Sequence, residues 1–159
     1  GILYAATGIG TGIGPLVMRS WLGDSKGAQM RAILLGFGLH TLGVFGLALA
    51  PSLPWVLATT VVRAVGSGAI WVFATVLLQQ LLPDHVRGRV FAFEFAALTL
   101  TQAISVLWAG YATDQLGWSV QQVAASAGVV GIGATGVWLA FWLWSGSRIV
   151  AQPATQTVE

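Results

Sequence analysis

The stretch GIGTGIGP, residues Gly8–Pro15, places four glycines at alternate positions and so raises the possibility of a phosphate-binding loop. A dinucleotide fingerprint needs glycines at i, i+2 and i+5, but here the third position falls on Ile13 or Pro15. A P-loop ends in Gly-Lys-Ser/Thr, and the only lysine, Lys26, follows Ser25. The spacing therefore disfavours nucleotide chemistry.

Three ionisable side chains remain as candidates because they lie within long apolar stretches: Arg63, Glu94 and His40. A charged group at the bilayer centre costs about 3 kcal/mol on insertion scales, so it usually faces a cavity or a partner. We expect His40 to be a neutral, packed residue. The sequence has no His, Cys, Asp and Glu spacing typical of a metal site and no Ser, His and Asp arrangement typical of nucleophilic catalysis. We therefore expect no enzyme activity and no cofactor.

Arg63 is a candidate for a solute pathway because its side of the predicted helix is small and polar. A helical projection groups Arg63 with four such residues and sets three valines opposite: Thr59, Thr60, Gly66 and Ser67, against Val61, Val65 and Val72. The pattern predicts that Arg63, Thr59 and Ser67 face the pathway and that the valines face lipid. The alternative is an arginine that extends to the outer headgroups.

Glu94 is the second candidate for this pathway, and it shares a helix face with Thr101 and Ser105. A carboxylate in a membrane cavity can carry a proton. An acid near a helix N-terminus that faces Arg87 or Arg89 explains the position equally well.

The composition indicates that these residues lie in membrane-spanning helices. Of the 159 residues, 56% are hydrophobic and 8% are charged, whereas about 25% are charged in an average soluble domain. Five apolar segments stand out, the first of them short: Ile2–Val17, Ala32–Ala50, Trp55–Leu82, Val90–Ala112 and Val123–Trp144. Crossing the hydrocarbon takes about 20 helical residues, and lipid requires that backbone polar groups be satisfied internally. The sequence therefore predicts an all-α integral membrane protein with five transmembrane helices in a lipid bilayer.

Basic residues in the connections predict the orientation. The counts of Lys and Arg after each successive segment are 3, 0, 2, 0 and 1. Because cytoplasmic connections carry the excess of Lys and Arg, the first segment is predicted to run inward and the C-terminus to be cytoplasmic. Residues 1–144 are predicted to form the helix bundle and residues 145–159 a disordered tail. Seven basic against five acidic residues are too few and too scattered to indicate nucleic-acid binding.

Glycines four residues apart predict close helix packing. In the first segment Gly8 stacks with Gly12, and Gly10 stacks with Gly14, giving two small-residue strips. The last segment repeats the pattern with Gly128 and Gly131, followed by two further glycines. We therefore interpret GIGTGIGP as a packing or hinge surface.

The segment Leu82–Val90, LPDHVRGRV, resembles the junction between the tenth and eleventh helices of major facilitator superfamily transporters. Trp108–Gly117, WAGYATDQLG, looks like the outer end of their eleventh helix, and Arg19–Arg31 looks like a degenerate form of the short basic loop after the eighth. Arg63 followed by Gly66 and Gly68 is loosely similar to a pattern in the same family. The junction is closest to the siderophore-export and drug-export branches.

This resemblance implies helices eight to twelve of twelve, which form most of the C-terminal six-helix bundle, with the N-terminal helices as the missing partner. The chain has no initiator Met, and we interpret it as a C-terminal fragment. The implied protein is a secondary active transporter of the bacterial inner membrane, exporting a small amphipathic solute by proton antiport and alternating access. The alternatives are a non-transporting receptor or scaffold and, less favoured, a membrane-embedded enzyme.

Four charged residues are candidates for a cytoplasmic gate or for setting the topology: Asp24, Arg31, Arg87 and Arg89. A gate would pair Arg87 and Arg89 with acids of the other half in the outward-open state. The Asp24 loop lacks the run of arginines usual in the family, which weakens the expectation of a latch there.

Overall fold

The structure, a computed structural model, describes residues 1–151 as five α-helices. In chain order they are α1 (Ile2–Leu22), α2 (Lys26–Ala48), α3 (Leu53–Leu81), α4 (Asp84–Asp114) and α5 (Val120–Ala151). No strand occurs in this part of the chain, and the prediction of an all-α fold is confirmed. Helix α5 continues seven residues past the predicted end at Trp144. The rest of the predicted tail, residues 152–159, lies outside the described residues.

Four of the five helices are long and apolar enough to cross a membrane within the described part of the chain: α2, α3, α4 and α5 as far as Ser145. Helix α1, which was predicted as a first and short membrane span, is not among them. Its 21 residues are about 30 Å long, which matches the hydrocarbon thickness. Its glycines, threonines and Arg19 reduce its apolar character.

Local sequence sets where the helices begin and end. Gly23, with φ 83°, ends α1, because the left-handed conformation is accessible to glycine at little cost. Ser25 caps α2 by accepting a hydrogen bond from the Ala28 N–H at 3.2 Å. Pro83 stands between α3 and α4, where its missing N–H does not interrupt either helix. These short connections keep neighbouring helices antiparallel.

Helix α3 is the centre of the bundle, with α1 and α2 packed on it and α5 packed on α2. The core is a cluster of buried apolar side chains: Met18, Met30, Ala32, Ile33, Ala69, Phe73 and Leu77. Helix α4 lies apart. Ala112 is its one buried residue, and a ring contact between Phe95 and Trp71 joins it to α3 with centroids 5.7 Å apart. The large side chains of α4, such as Leu107 at 73% exposed, are therefore available to lipid or to other helices.

The two predicted glycine strips of α1 have different environments. A Cβ added to Gly10 would lie 2.7 Å from the Val61 carbonyl oxygen, and one added to Gly14 would overlap the Val65 backbone. Glycine at these positions thus allows α1 and α3 to approach closely. Gly8 and Gly12 face open space. The prediction that Val61 and Val65 face lipid was wrong, because their side of α3 is covered by α1.

The glycines of α5 mark its contact with α2. A Cβ at Gly128 would lie 2.8 Å from the Phe45 ring, and one at Gly131 would lie 2.7 Å from Thr41 Oγ1. Thr41 and Thr135 also bring their hydroxyl oxygens to 3.4 Å across this contact. Small residues therefore hold α5 against α2.

Candidate functional site

Arg63 lies where α3 packs on α2. A Cβ added to Gly43 of α2 would lie 2.6 Å from the Arg63 Cβ. Thr59, one turn earlier, places its methyl group against Gly46, and Gly66 lies against Gly36. The polar face predicted to line a pathway therefore contacts α2 along the described helices. The helical projection could not show which helix covers these residues.

The hydroxyl groups near Arg63 are bonded within α3. Thr59 Oγ1 donates to the Trp55 carbonyl oxygen at 2.8 Å, and Ser67 Oγ lies 3.2 Å from the Ala64 carbonyl oxygen. Both side chains are half-buried. Such back-bonding satisfies a hydroxyl inside a membrane helix and leaves its oxygen able to accept another hydrogen bond.

His40 lies beside the backbone and the charge of Arg63, a contact that the sequence reasoning missed. The His40 backbone lies against Gly66. Its Nδ1 is buried without a hydrogen-bond partner among the residues that the structure describes. The spacing of Gly36, Gly43 and Gly46 along α2 is the signal that could have indicated this close contact.

Glu94, Thr101 and Ser105 lie along α4, away from Arg63. Glu94 is half-buried, whereas Thr101 and Ser105 are exposed. Thr101 Oγ1 donates to the Ala97 carbonyl oxygen at 2.8 Å, and Ser105 Oγ donates to the Thr101 carbonyl oxygen at 2.9 Å. Because α4 has few contacts with the other helices, the part of this polar face that carries Thr101 and Ser105 is open.

The α1–α2 loop is held together by Asp24. Arg19 contacts its carboxylate twice, from Nε at 2.7 Å and from Nη2 at 2.8 Å. Gln29 Nε2 donates to the Asp24 backbone oxygen at 3.1 Å. Arg31, predicted with Asp24 as a gate residue, is exposed and donates to the Gly27 carbonyl oxygen on its own helix at 3.3 Å.

Arg87 joins α3 to α4 at the LPDHVRGRV junction. Its Nη2 lies 2.7 Å from Asp84 Oδ1 and donates to the carbonyl oxygens of Gln79 at 3.3 Å and Leu82 at 3.2 Å. The last carbonyl groups of a helix have no partners within it, and a cation there also interacts favourably with the helix dipole. Arg87 therefore caps α3, while Arg89 is exposed.

A cavity of about 380 Å³ lies between α1 and α3 next to the Asp24 loop, and we call it the α1–α3 cavity. It is lined by Pro15, Leu16 and Arg19 of α1, by Asp24 and Gln29, and by Val72, Phe73, Val76 and Gln80 of α3. Its volume is within the range of about 300 to 1,000 Å³ that is usual for small-molecule sites. Of the predicted site residues, Asp24 lines it. The sequence reasoning missed the others because they come from three separate segments.

The comparisons with known proteins show that the chain is similar to membrane transport proteins. The chain is 26% identical over 131 residues to the inner membrane transport protein YdhP of Escherichia coli, covering 82% of this chain and 33% of that protein. It is 30% identical over 118 residues to myo-inositol transporter 3C of Cryptococcus neoformans, covering 74% of this chain and 20% of that protein. It is also 34% identical over 88 residues to myo-inositol transporter 3 of the same fungus, covering 55% and 15%.

The chain therefore spans between 15% and 33% of the length of these relatives. No family model and no solved structure matches it. The relatives are transport proteins and not enzymes. Together with the membrane-spanning helices, the similarity supports an integral membrane protein related to transporters of the major facilitator superfamily.

Proposed function

We propose that this chain forms part of a secondary active transporter that moves a small solute by alternating access. The observation that carries the proposal is the similarity to transport proteins, which extends over 82% of the chain. The helix bundle supports it, because inward-facing and outward-facing states need packed helices that move as one body. Helices α1, α2 and α3, joined by close glycine contacts, form such a unit.

The five helices correspond in this proposal to helices eight to twelve of a major facilitator transporter. Arg87 gives the junction motif a physical role, since it joins the end of α3 to the start of α4. The open sides of α1 and α4 would then contact the preceding helices of the same protein, which are the proposed partner. The other half would supply acids that meet Arg87, Arg89, Arg31 and Asp24 at a cytoplasmic gate.

The solute in this proposal is small and amphipathic. Because two relatives are named as myo-inositol transporters, a polyol is the solute class to test first. Glu94, with Thr101 and Ser105 on the open side of α4, is the proposed proton and solute pathway. Arg63, Thr59 and Ser67 complete it from α3. Export by proton antiport, as in the siderophore and drug branches, is the proposed direction and coupling.

The test is solute flux in proteoliposomes that contain the chain together with the seven proposed preceding helices. We expect saturable movement of tritiated myo-inositol that is faster with an imposed pH gradient and slower after a protonophore collapses that gradient. Saturable flux without any effect of the gradient would contradict proton coupling. Correctly inserted protein without flux of this or other polyols would favour a non-transporting receptor of the same fold.

A further inference from the structure

We infer that Gln102 of α4 lines the solute pathway and forms hydrogen bonds with the solute there. The inference rests on the proposed function, to which it adds a residue and a class of solute. Gln102 is exposed and lies near the centre of the apolar segment Val90–Ala112. Asp114, at the nearer end of α4, is about 18 Å further along the helix, so the Gln102 side chain is too short to reach the headgroups.

The side-chain amide of Gln102 is unsatisfied in this chain. It carries two N–H donors and an acceptor oxygen, and none of them has a hydrogen-bond partner within the described part of the chain. The hydroxyl groups of Thr99, Thr101 and Ser105 differ, because each donates to a carbonyl oxygen one turn earlier in α4. A polar group without a hydrogen bond is unfavourable in hydrocarbon. The amide therefore requires water, a solute or another polar group beside it.

Gln102 lies on the side of α4 that faces the other helices. Helix α4 contacts α3 through the ring of Phe95, whose centroid is 5.7 Å from that of Trp71. It contacts α5 through Trp108, whose Nε1 donates to Ser126 Oγ at 3.1 Å. At about 100° per residue, Gln102 falls between Phe95 and Trp108 on the helical projection. This side of α4 therefore faces the gap between the two contacts.

The gap beside Gln102 is open and carries polar groups. Leu98 and Ser105 lie on the same side of α4 as Gln102, and both are exposed, although α4 contacts its neighbours before and after them. The opposite side of α4 carries exposed apolar side chains that suit lipid: Phe93, Leu100 and Leu107. Polar residues within a membrane helix usually face a water-filled cavity or a partner. We therefore assign the amide to the pathway side.

An amide at this position favours a solute that both donates and accepts hydrogen bonds. The oxygen of Gln102 accepts from a hydroxyl or N–H group, and its NH₂ group donates to a hydroxyl or carbonyl oxygen. A site that hydrogen-bonds such groups discriminates strongly against solutes that lack them. The solute class is therefore a molecule with several hydroxyl or amide groups, such as a polyol.

The first test is the reaction of single cysteines with a charged, water-soluble methanethiosulfonate in permeabilised membranes. The protein is the complete transporter, with the seven proposed preceding helices and no other cysteine. Leu100→Cys is the matched control for Gln102→Cys, because it lies at nearly the same depth on the opposite side of α4. We expect Gln102→Cys to react at least tenfold faster, since the reagent attacks the thiolate, which forms in water. Similar rates, a faster reaction at position 100, or no reaction at either position would overturn the inference.

The second test is recognition of the solute. Myo-inositol should slow the reaction of Gln102→Cys, and absence of slowing would overturn the solute contact. Gln102→Leu removes the amide at similar size, so we expect the KM for tritiated myo-inositol to rise at least tenfold with kcat within threefold. Leu100→Ala should leave both unchanged. An unchanged KM in Gln102→Leu with an equal thermal unfolding midpoint would contradict the contact.

The outcomes separate this inference from the proposed function. If the complete transporter moves no polyol, the proposed function fails. Reaction at position 102 alone, slowed by myo-inositol, would still show that Gln102 lines an aqueous pathway that holds the solute. Transport together with an unreactive Gln102→Cys would leave the proposed function standing and overturn the role of Gln102.

Discussion

Arg63 combines a charge inside a membrane helix with a close backbone contact to α2. Such a residue is retained where its charge has a use or a partner. His40, on the adjacent helix, lies beside this charge. The pathway role proposed for Arg63 therefore requires that its guanidinium group extend past the contact with α2. That contact holds the Arg63 backbone in place.

Replacing Arg63 tests that role. We expect Arg63→Lys to retain part of the transport, since it keeps the charge without the planar arrangement of donors, and Arg63→Gln to lose most of it. Both should be measured as flux in the complete transporter after equal insertion has been verified. Normal flux in Arg63→Gln would show that the arginine only extends to lipid headgroups.

Glu94 is the proposed proton carrier, and Glu94→Gln removes its ability to titrate with little change in size. We expect proton-driven flux to fall at least tenfold while solute binding stays within twofold. Asp114→Asn, at the far end of α4, is the matched control and should leave the coupling intact. If Glu94→Gln keeps its dependence on the pH gradient, the carboxylate is an anchor at the helix end.

At the scale of the elements, the two glycine strips of α1 provide an internal comparison. Gly14→Leu places a side chain against the Val65 backbone, whereas Gly12→Leu points into open space. Overpacking of a close contact costs about 1 to 3 kcal/mol. We expect Gly14→Leu alone to lower the thermal unfolding midpoint of the purified chain. Equal midpoints for the two variants would contradict the packing of α1 on α3.

The α3–α4 junction depends on Arg87 and not on Arg89. Its ion pair with Asp84 is largely exposed and should contribute little, but its bonds to the Gln79 and Leu82 carbonyl oxygens cap α3. We expect Arg87→Ala to speed amide hydrogen exchange in the last turn of α3 about tenfold, with Arg89→Ala as the unchanged control. Equal rates of amide hydrogen exchange in the two variants would contradict the role of Arg87 in capping α3.

The presence of five helices could be predicted from the sequence, because lipid requires that backbone groups be satisfied within helices, and both ends of α3 lie within two residues of the predicted ones. The sequence predicts a polar tail after Trp144, whereas α5 continues to Ala151. The contacts of Arg63 and the cavity beside Gln29 could not be predicted. Each depends on which helix lies opposite, and a residue pattern gives the face of one helix without its neighbour.

At the scale of the whole molecule, α1, α2, α3 and α5 are packed together and α4 stands apart. A helix with one buried residue gains little from the rest of this bundle. The proposed numbering explains this arrangement, because helix eleven would contact helices that precede α1. The orientation of α1 to α5 across the membrane is the part of this proposal that can be measured most directly.

That α1 to α5 cross the membrane as the last five helices of a major facilitator transporter is tested by cysteine labelling in intact cells. The chain has no native cysteine, so single cysteines can replace Lys26, His85, Ser52 and Leu116. Leu116 is chosen in its loop because the neighbouring Trp118 packs against Trp108. We expect an impermeant thiol reagent to label positions 52 and 116 and to reach 26 and 85 only after permeabilisation. Labelling of 26 and 85 in intact cells, with protection of 52 and 116, would contradict the orientation and the helix numbering together.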